Sequence, residues 1–208
     1  MTTAIFAIIW TSLVFLPPAA YLCARHVRER RPAAVYRTML GSALIVVQVF
    51  VFVYFGFALT NAFANLLLVA VDYFAWCYLV AFNGKIRRGI LRIPLFLIGI
   101  FPIACGYLAG TIGIVSLFFV AGDFAQPPDS VVTIRNSSVT CEHSHWGFAG
   151  NSGYNSILYD HWIFAPFVKR EIAREVAYDY SEDAAMSCSE MWRKYESQDS
   201  TPGGQAAR

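Results

Sequence analysis

The sequence is short of charge. Only 14% of its 208 residues are Asp, Glu, Lys or Arg, while 57% are hydrophobic. A soluble domain carries about 25% charged residues. The shortage is concentrated in two places. Asp72 is the only charged residue between Thr38 and Asn83, and none occurs between Ile93 and Gly122. Apolar runs of about 18 residues or more can cross a hydrocarbon core ~30 Å thick as helix. An ordinary soluble domain is therefore excluded, and an integral membrane protein is expected.

Other absences narrow the reading. No basic residue precedes the first apolar run, MTTAIFAIIW, and the basic cluster follows it, so a cleaved secretory signal is not expected. There is no phosphate-cradling glycine loop and no HExxH, and no convincing nucleophile–base pair. Ser144 stands between His143 and His145, but adjacency in sequence does not set a hydroxyl against an imidazole. No catalytic residue is assigned, and the sequence leans away from an enzyme. The two halves of the apolar region show no internal repeat, which many transporters have.

What is present reads as an all-α membrane protein. Residues 1–122 form a four-transmembrane-helix bundle with spans at about 3–24, 39–60, 62–82 and 93–121. Pro17 and Pro18 should bend the first span, and Pro102 the long fourth one. TNAFAN is so short a connection that the second and third spans must form an antiparallel hairpin. Arg25, Arg28, Arg30, Arg31 and Arg37 lie in one loop, and Lys85, Arg87, Arg88 and Arg92 in another. Basic loops stay on the cytoplasmic side during insertion. The N-terminus, the turn between the second and third spans, and everything after Asp123 are then extracytoplasmic. The chain reads as a multi-pass protein of a bacterial inner membrane or a plasma membrane. Topology and contact with anionic lipid account for the basic loops. A nucleic-acid partner is not expected.

Residues 123–196 read as a small extracytoplasmic domain, α or α+β, and 197–208 as a disordered tail. The outer segment holds two cysteines, Cys141 and Cys188, and an oxidising compartment favours their pairing. Cys23, Cys77 and Cys105 fall within spans as small packing residues. SVVTIRNSSVT has strand character, and HWGFAGNSGYN is turn-rich. PFVKREIAREVAYDY reads as helix, with Val168, Ile172, Val176 and Tyr180 recurring at i+4. Ser181 is a cap for a following helix whose apolar stripe is Ala184, Cys188, Met191, Trp192 and Tyr195.

Several residues are candidates for a role. His143, His145 and His161 could bind copper or zinc, since imidazole suits both metals. That is an alternative; no cofactor is the first expectation. Asp72 is expensive inside a membrane, so it must be protonated, paired or wet. Counted from Asn61, Gln48 lies at nearly its depth and is a candidate hydrogen-bond partner, with Tyr54, Tyr73 and Tyr78 as others. Gly99, Gly106, Gly110 and Gly113 form a helix face, with Gly106/Gly110 a small-xxx-small pair suited to close packing. Trp146, Trp162 and Phe164 are candidates for partner binding, within a segment rich in aromatics. The expected function is a non-catalytic membrane subunit or binding protein whose outer domain docks onto another membrane or extracytoplasmic protein. An accessory subunit, a membrane inhibitor or an immunity factor would all fit. The alternatives are a copper- or zinc-binding membrane protein and a small proton-coupled transporter built on Asp72.

Overall fold

The structure, a computed structural model, describes residues 2–82, 89–114, 128–134, 138–148, 151–178 and 187–199. They divide into two units. One comprises residues 1–54 and 62–125, the other residues 55–61 and 126–208.

The first unit is helical: α1 (Thr2–Arg30), a 3-10 turn (Pro32–Ala34), α2 (Val35–Tyr54), α3 (Ala62–Ala81) and α4 (Gly89–Thr111). Three segments, Thr3–Arg30, Pro32–Tyr54 and Ala62–Ala81, are long and apolar enough to cross a membrane. The apolar part of α4 is shorter, Phe96–Thr111. The expected fourth span at 93–121 is therefore seen as helix only to Thr111, and residues 115–121 lie outside the described set. α3 packs against each of α1, α2 and α4. Its core with α1 and α2 is Ala20, Ala24, Val35, Cys77, Tyr78 and Phe82. The Tyr78 hydroxyl donates to Thr38 Oγ1 at 2.9 Å, and the Thr38 hydroxyl bonds back to the carbonyls of Ala34 and Val35.

Prolines shape the contacts of this unit. Pro17 and Pro18 lie inside α1 and have no N–H. The carbonyls four residues back, Leu13 and Val14, lose their intrahelical partners. The Tyr107 hydroxyl of α4 donates to Val14 O at 3.0 Å, so a neighbouring helix takes up one freed acceptor. Trp76 Nε1 donates to Gly99 O at 2.8 Å, next to the Ile98 carbonyl that Pro102 leaves free. Trp10 Nε1 donates to Gly110 O at 2.9 Å, at the end of α4 where carbonyls lack helical donors.

The second unit is built on an antiparallel sheet of five strands in the order β1-β5-β4-β3-β2. These are β1 (Phe57–Leu59), β2 (Ser130–Thr133), β3 (Val139–Phe148), β4 (Asn151–Trp162) and β5 (Ala165–Ala177). A helix, α5 (Cys188–Asp199), packs on one face. Its core is Val139, Cys141, Leu158 and Met191, with Ile172, Ala173, Cys188, Trp192 and Tyr195 around it. Leu158 and Cys141 are fully buried.

Several expectations are corrected here. The C-terminal domain is α+β and mostly sheet. Its strands include β5, over the stretch expected to be helix. Val168, Ile172 and Val176 recur every fourth residue, which a strand also permits, and all three are β-branched. The segment HWGFAGNSGYN carries a long hairpin, paired to Phe148↔Asn151. The last helix begins at Cys188, and Ser181 and Ala184 lie outside the described residues. That helix runs on through Ser197 to Asp199, three residues into the expected disordered tail; residues 200–208 lie outside the described set. The second span ends at Tyr54 rather than about 60. Gly56 has φ +72°, a left-handed conformation suited to glycine that stops α2. The next residues, Phe57–Leu59, leave the helix and pair with β5 as Phe57↔Arg170, Ala58↔Lys169 and Leu59↔Val168.

Candidate functional site

Cys141 and Cys188 form a disulfide with Cα atoms 5.9 Å apart. It clamps the first residue of α5 to β3. Closing a 47-residue separation contributes ~2–4 kcal/mol, chiefly by restricting the unfolded chain. A second device, absent from the expectations, fixes the same helix end. Glu190 N–H donates to Ser187 Oγ, while the Glu190 carboxylate accepts from the Ser187 hydroxyl (2.8 Å) and N–H (3.2 Å). This is a reciprocal capping box, and its signature Ser187-Cys188-Ser189-Glu190 is legible in the sequence. The Ser187 bonds hold the Glu190 carboxyl below its ordinary pKa. Lys194 Nζ reaches Glu175 on β5 at 3.2 Å.

Thus anchored, α5 forms one wall of a cleft of about 470 Å³ against the sheet. Arg170, Asp160 and Ser138 line the sheet side, and Trp192 and Tyr195 the helix side. The two rings lie 5.8 Å apart. Asp160 already accepts from the Ser138 hydroxyl at 2.6 Å. Trp192 Nε1 is buried and has no acceptor among the described residues. Sequence reading placed Met191, Trp192 and Tyr195 on one apolar stripe, but it could not show that β5 brings Arg170 opposite them.

The opposite face of the sheet carries a polar cluster. Lys169 is ion-paired with both Glu142 oxygens, at 2.5 and 2.7 Å, and its side chain is only 12% exposed. The same ammonium lies 3.9 Å from the centre of the Tyr159 ring. Burial, followed by the Glu142 charge, pushes the Tyr159 phenol up to about 12. Tyr159 is thus a neutral platform for a cation rather than an acid or base.

The three candidate metal ligands are not brought together. His143 and His145 share a face and both meet the Tyr154 ring, with centroids 5.1 and 5.3 Å away. His143 Nδ1 is 2.9 Å from Ser156 Oγ. His161 lies five residues along β4 from Ser156, the partner of His143, roughly 17 Å away. Strand alternation also puts it on the other face. Its Nδ1 is 3.4 Å from Pro166 O and its Nε2 3.0 Å from Thr140 Oγ1. Both imidazole nitrogens are thereby engaged. Among the described residues, no group of three His, Cys, Asp or Glu side chains is set to hold a metal ion.

The other candidates fall as follows. The Gln48–Asp72 bond is not formed: Gln48 is exposed, and Asp72 Oδ1 is buried without a hydrogen-bond partner among the described residues. The depth argument fails because α2 stops early. Gln48 is six residues from the end of α2 and Asp72 ten from the start of α3, or about 9 and 15 Å. Asp72 instead lies on the stripe of α3 that continues through Trp76 and Val80, both of which meet α4 at Gly99. A Cβ added at Gly99 would lie 2.8 Å from Val80 Cγ2. At Gly106 it would lie 2.8 Å from Tyr73 Oη, and at Gly110 3.2 Å from Val14 Cγ2. These three glycines therefore receive helices of the same chain, whereas Gly113 meets only its own Ala109 backbone. Cys77 is buried as expected, but Cys23 and Cys105 are exposed on their helices. Trp162 and Phe164 are 59% and 90% exposed at the β4–β5 turn. Trp146 stands on β3 opposite Gly153, and its side chain lies outside the described residues.

Set beside family models, curated proteins and solved structures, the chain matches none of them, so its function has to be read from the geometry above.

Proposed function

We propose that this chain is a non-catalytic membrane-anchored binding protein whose outer sheet domain captures a segment of a partner protein, as an accessory subunit or a membrane inhibitor would. In this reading four spans hold it in the membrane. The N-terminus and the sheet domain are extracytoplasmic, as the two basic loops require. The observation that carries the reading is the cleft between α5 and the sheet. Trp, Tyr and Arg are the residue types that dominate protein-binding hot spots, and Trp192, Tyr195 and Arg170 converge there. The Trp192 N–H is buried without an acceptor among the described residues, and a peptide carbonyl supplies one. The disulfide and the capping box fix the helix wall before a partner arrives, which lowers the ordering cost of association.

The reading is tested by photo-crosslinking in native membranes. A benzophenone side chain placed at Tyr195 should give one discrete protein adduct, lost when Trp192→Ala is added. The same probe at the exposed Arg193 serves as control. Identical adducts from both positions, or an adduct indifferent to Trp192→Ala, would contradict the proposal.

A further inference from the structure

We infer that the tip of the β4–β5 hairpin, Trp162-Ile163-Phe164, seats in the interfacial layer of the lipid bilayer. This rests on the helices being membrane spans; it shares Arg170 with the α5 cleft, but Trp162, Ile163 and Phe164 take no part in that cleft. Turn positions normally carry Gly, Asn, Asp or Pro, because the backbone there needs their conformations or their side-chain hydrogen bonds. This turn presents isoleucine and phenylalanine instead. Trp162, Ile163 and Phe164 are 59%, 84% and 90% exposed, and Phe167 just beyond is 62% exposed. Nothing in turn chemistry calls for such side chains in water.

Chain reach locates this patch. β1 is bracketed by two apolar helices: two residues separate it from the end of α2, and two from the start of α3. Three peptide steps cover at most about 11 Å, so β1 stays that close to the ends of two helices emerging from hydrocarbon. β5 is its sheet neighbour, about 4.8 Å away. Thr60, two residues before α3, gives both its N–H (2.9 Å) and its hydroxyl (3.3 Å) to Phe167 O. The hairpin tip lies just upstream of Phe167, with Ala165 and Pro166 between them. The headgroup region on each side of a bilayer is about 5–8 Å deep. Covalent reach thus keeps the sheet edge that carries the tip near the ends of α2 and α3, and Trp with its aromatic neighbours concentrates at membrane interfaces.

The surroundings suit lipid rather than a protein groove. The Trp162 ring lies 6.5 Å from Phe57 of β1, and the exposed Arg170 guanidinium lies 5.8 Å over that same Phe57 ring. An apolar and aromatic tip beneath a cation matches an acyl–headgroup boundary carrying phosphate.

The test uses the full chain in vesicles of phosphatidylcholine and phosphatidylglycerol, with Cys23, Cys77 and Cys105 replaced by Ala. An environment-sensitive fluorophore is attached at Ile163→Cys, with Phe164→Cys as a second placement. Tyr178→Cys, at the far end of β5 and 79% exposed, is the aqueous control, and Val69→Cys on α3 is the membrane control. Lipids carrying a nitroxide high on the acyl chain should quench the label at 163 or 164 several-fold more than at 178 and shift its emission to the blue. Quenching at 69 but not at 163 or 164 would overturn the seat while leaving the spans intact. No quenching at any position would overturn the seat together with the spans. A label at 163 unquenched in pure lipid, yet shielded from aqueous iodide in native membranes, would assign the tip to a protein partner and overturn the proposal.

Discussion

In the helical unit, backbone acceptors left over by prolines and helix ends are taken up by aromatic side chains of neighbouring helices, as Tyr107 does for Val14 and Trp10 for Gly110. In the sheet unit the arrangement is different. A core of four buried side chains under one short helix is reinforced by a covalent clamp and a capping box. With the helices as membrane spans and the sheet domain outside the bilayer, as proposed, the contrast follows from solvent. Between apolar helices there is no hydrophobic drive, so close packing at Gly99, Gly106 and Gly110 and a few hydrogen bonds carry association. A small domain in water has the hydrophobic drive but too little surface to bury, and it depends on staples.

The contrast predicts where each unit breaks. The largest effect falls on the sheet unit. Replacing Cys141 and Cys188 by Ser should cost ~2–4 kcal/mol and release α5 from the sheet. Proteolysis in the α5 region should accelerate while the far-ultraviolet helix signal of the membrane unit is kept. Equal loss in both units would break the comparison. Next is Tyr107→Phe, which removes the donor to Val14 O and should lower helical-unit stability by ~0.6–2 kcal/mol. Reversible unfolding in mixed micelles reads this out, and the disulfide-linked domain should not respond.

The smallest effect is Ser187→Ala, which removes the cap at the start of α5 and should cost ~1 kcal/mol. It has a pH signature. The folded-state pKa of Glu190 is depressed below its ordinary 4.5. Its contribution is therefore complete above that value and fades as pH falls through the lower, folded-state value. Wild type should lose part of the α5 anchorage in that acid window, and Ser187→Ala should lose less on going through it. An unchanged acid response in Ser187→Ala would show that another carboxylate sets it.

Legibility in the sequence divides along the same line. Membrane segments announce themselves through missing charge, so α1, α2 and α3 were readable to within a few residues at most ends. The end of α2 is set by Gly56, a lone glycine in an apolar run, whose left-handed backbone ends the helix and releases Phe57–Leu59 to the sheet. That early end also displaces Gln48 from Asp72. In the C-terminal domain, Cys141–Cys188 was legible because that segment holds only two thiols. β5 was not, because its Lys, Arg, Glu and Ala residues favour helix locally, while pairing with the neighbouring β4 and with β1, about 110 residues earlier in the chain, decides for strand. The cleft depends on that same pairing, so no local pattern could place Arg170 opposite Trp192. The separation of the histidines was hidden for the complementary reason: spacing in sequence said nothing of the strand between them, five residues from His161 to the partner of His143 and seven to that of His145.

The pairing of β1 with β5 supports the whole account, since it ties the connection between two apolar helices to the C-terminal sheet. With the free cysteines replaced, Phe57→Cys and Arg170→Cys are introduced together at directly opposed positions and oxidised in intact membranes. The account predicts efficient intramolecular crosslinking between them, with Arg170→Cys giving none when paired instead with a cysteine at Arg31 in the basic loop. Absence of the 57–170 crosslink, with the Cys141–Cys188 bridge intact, would contradict it.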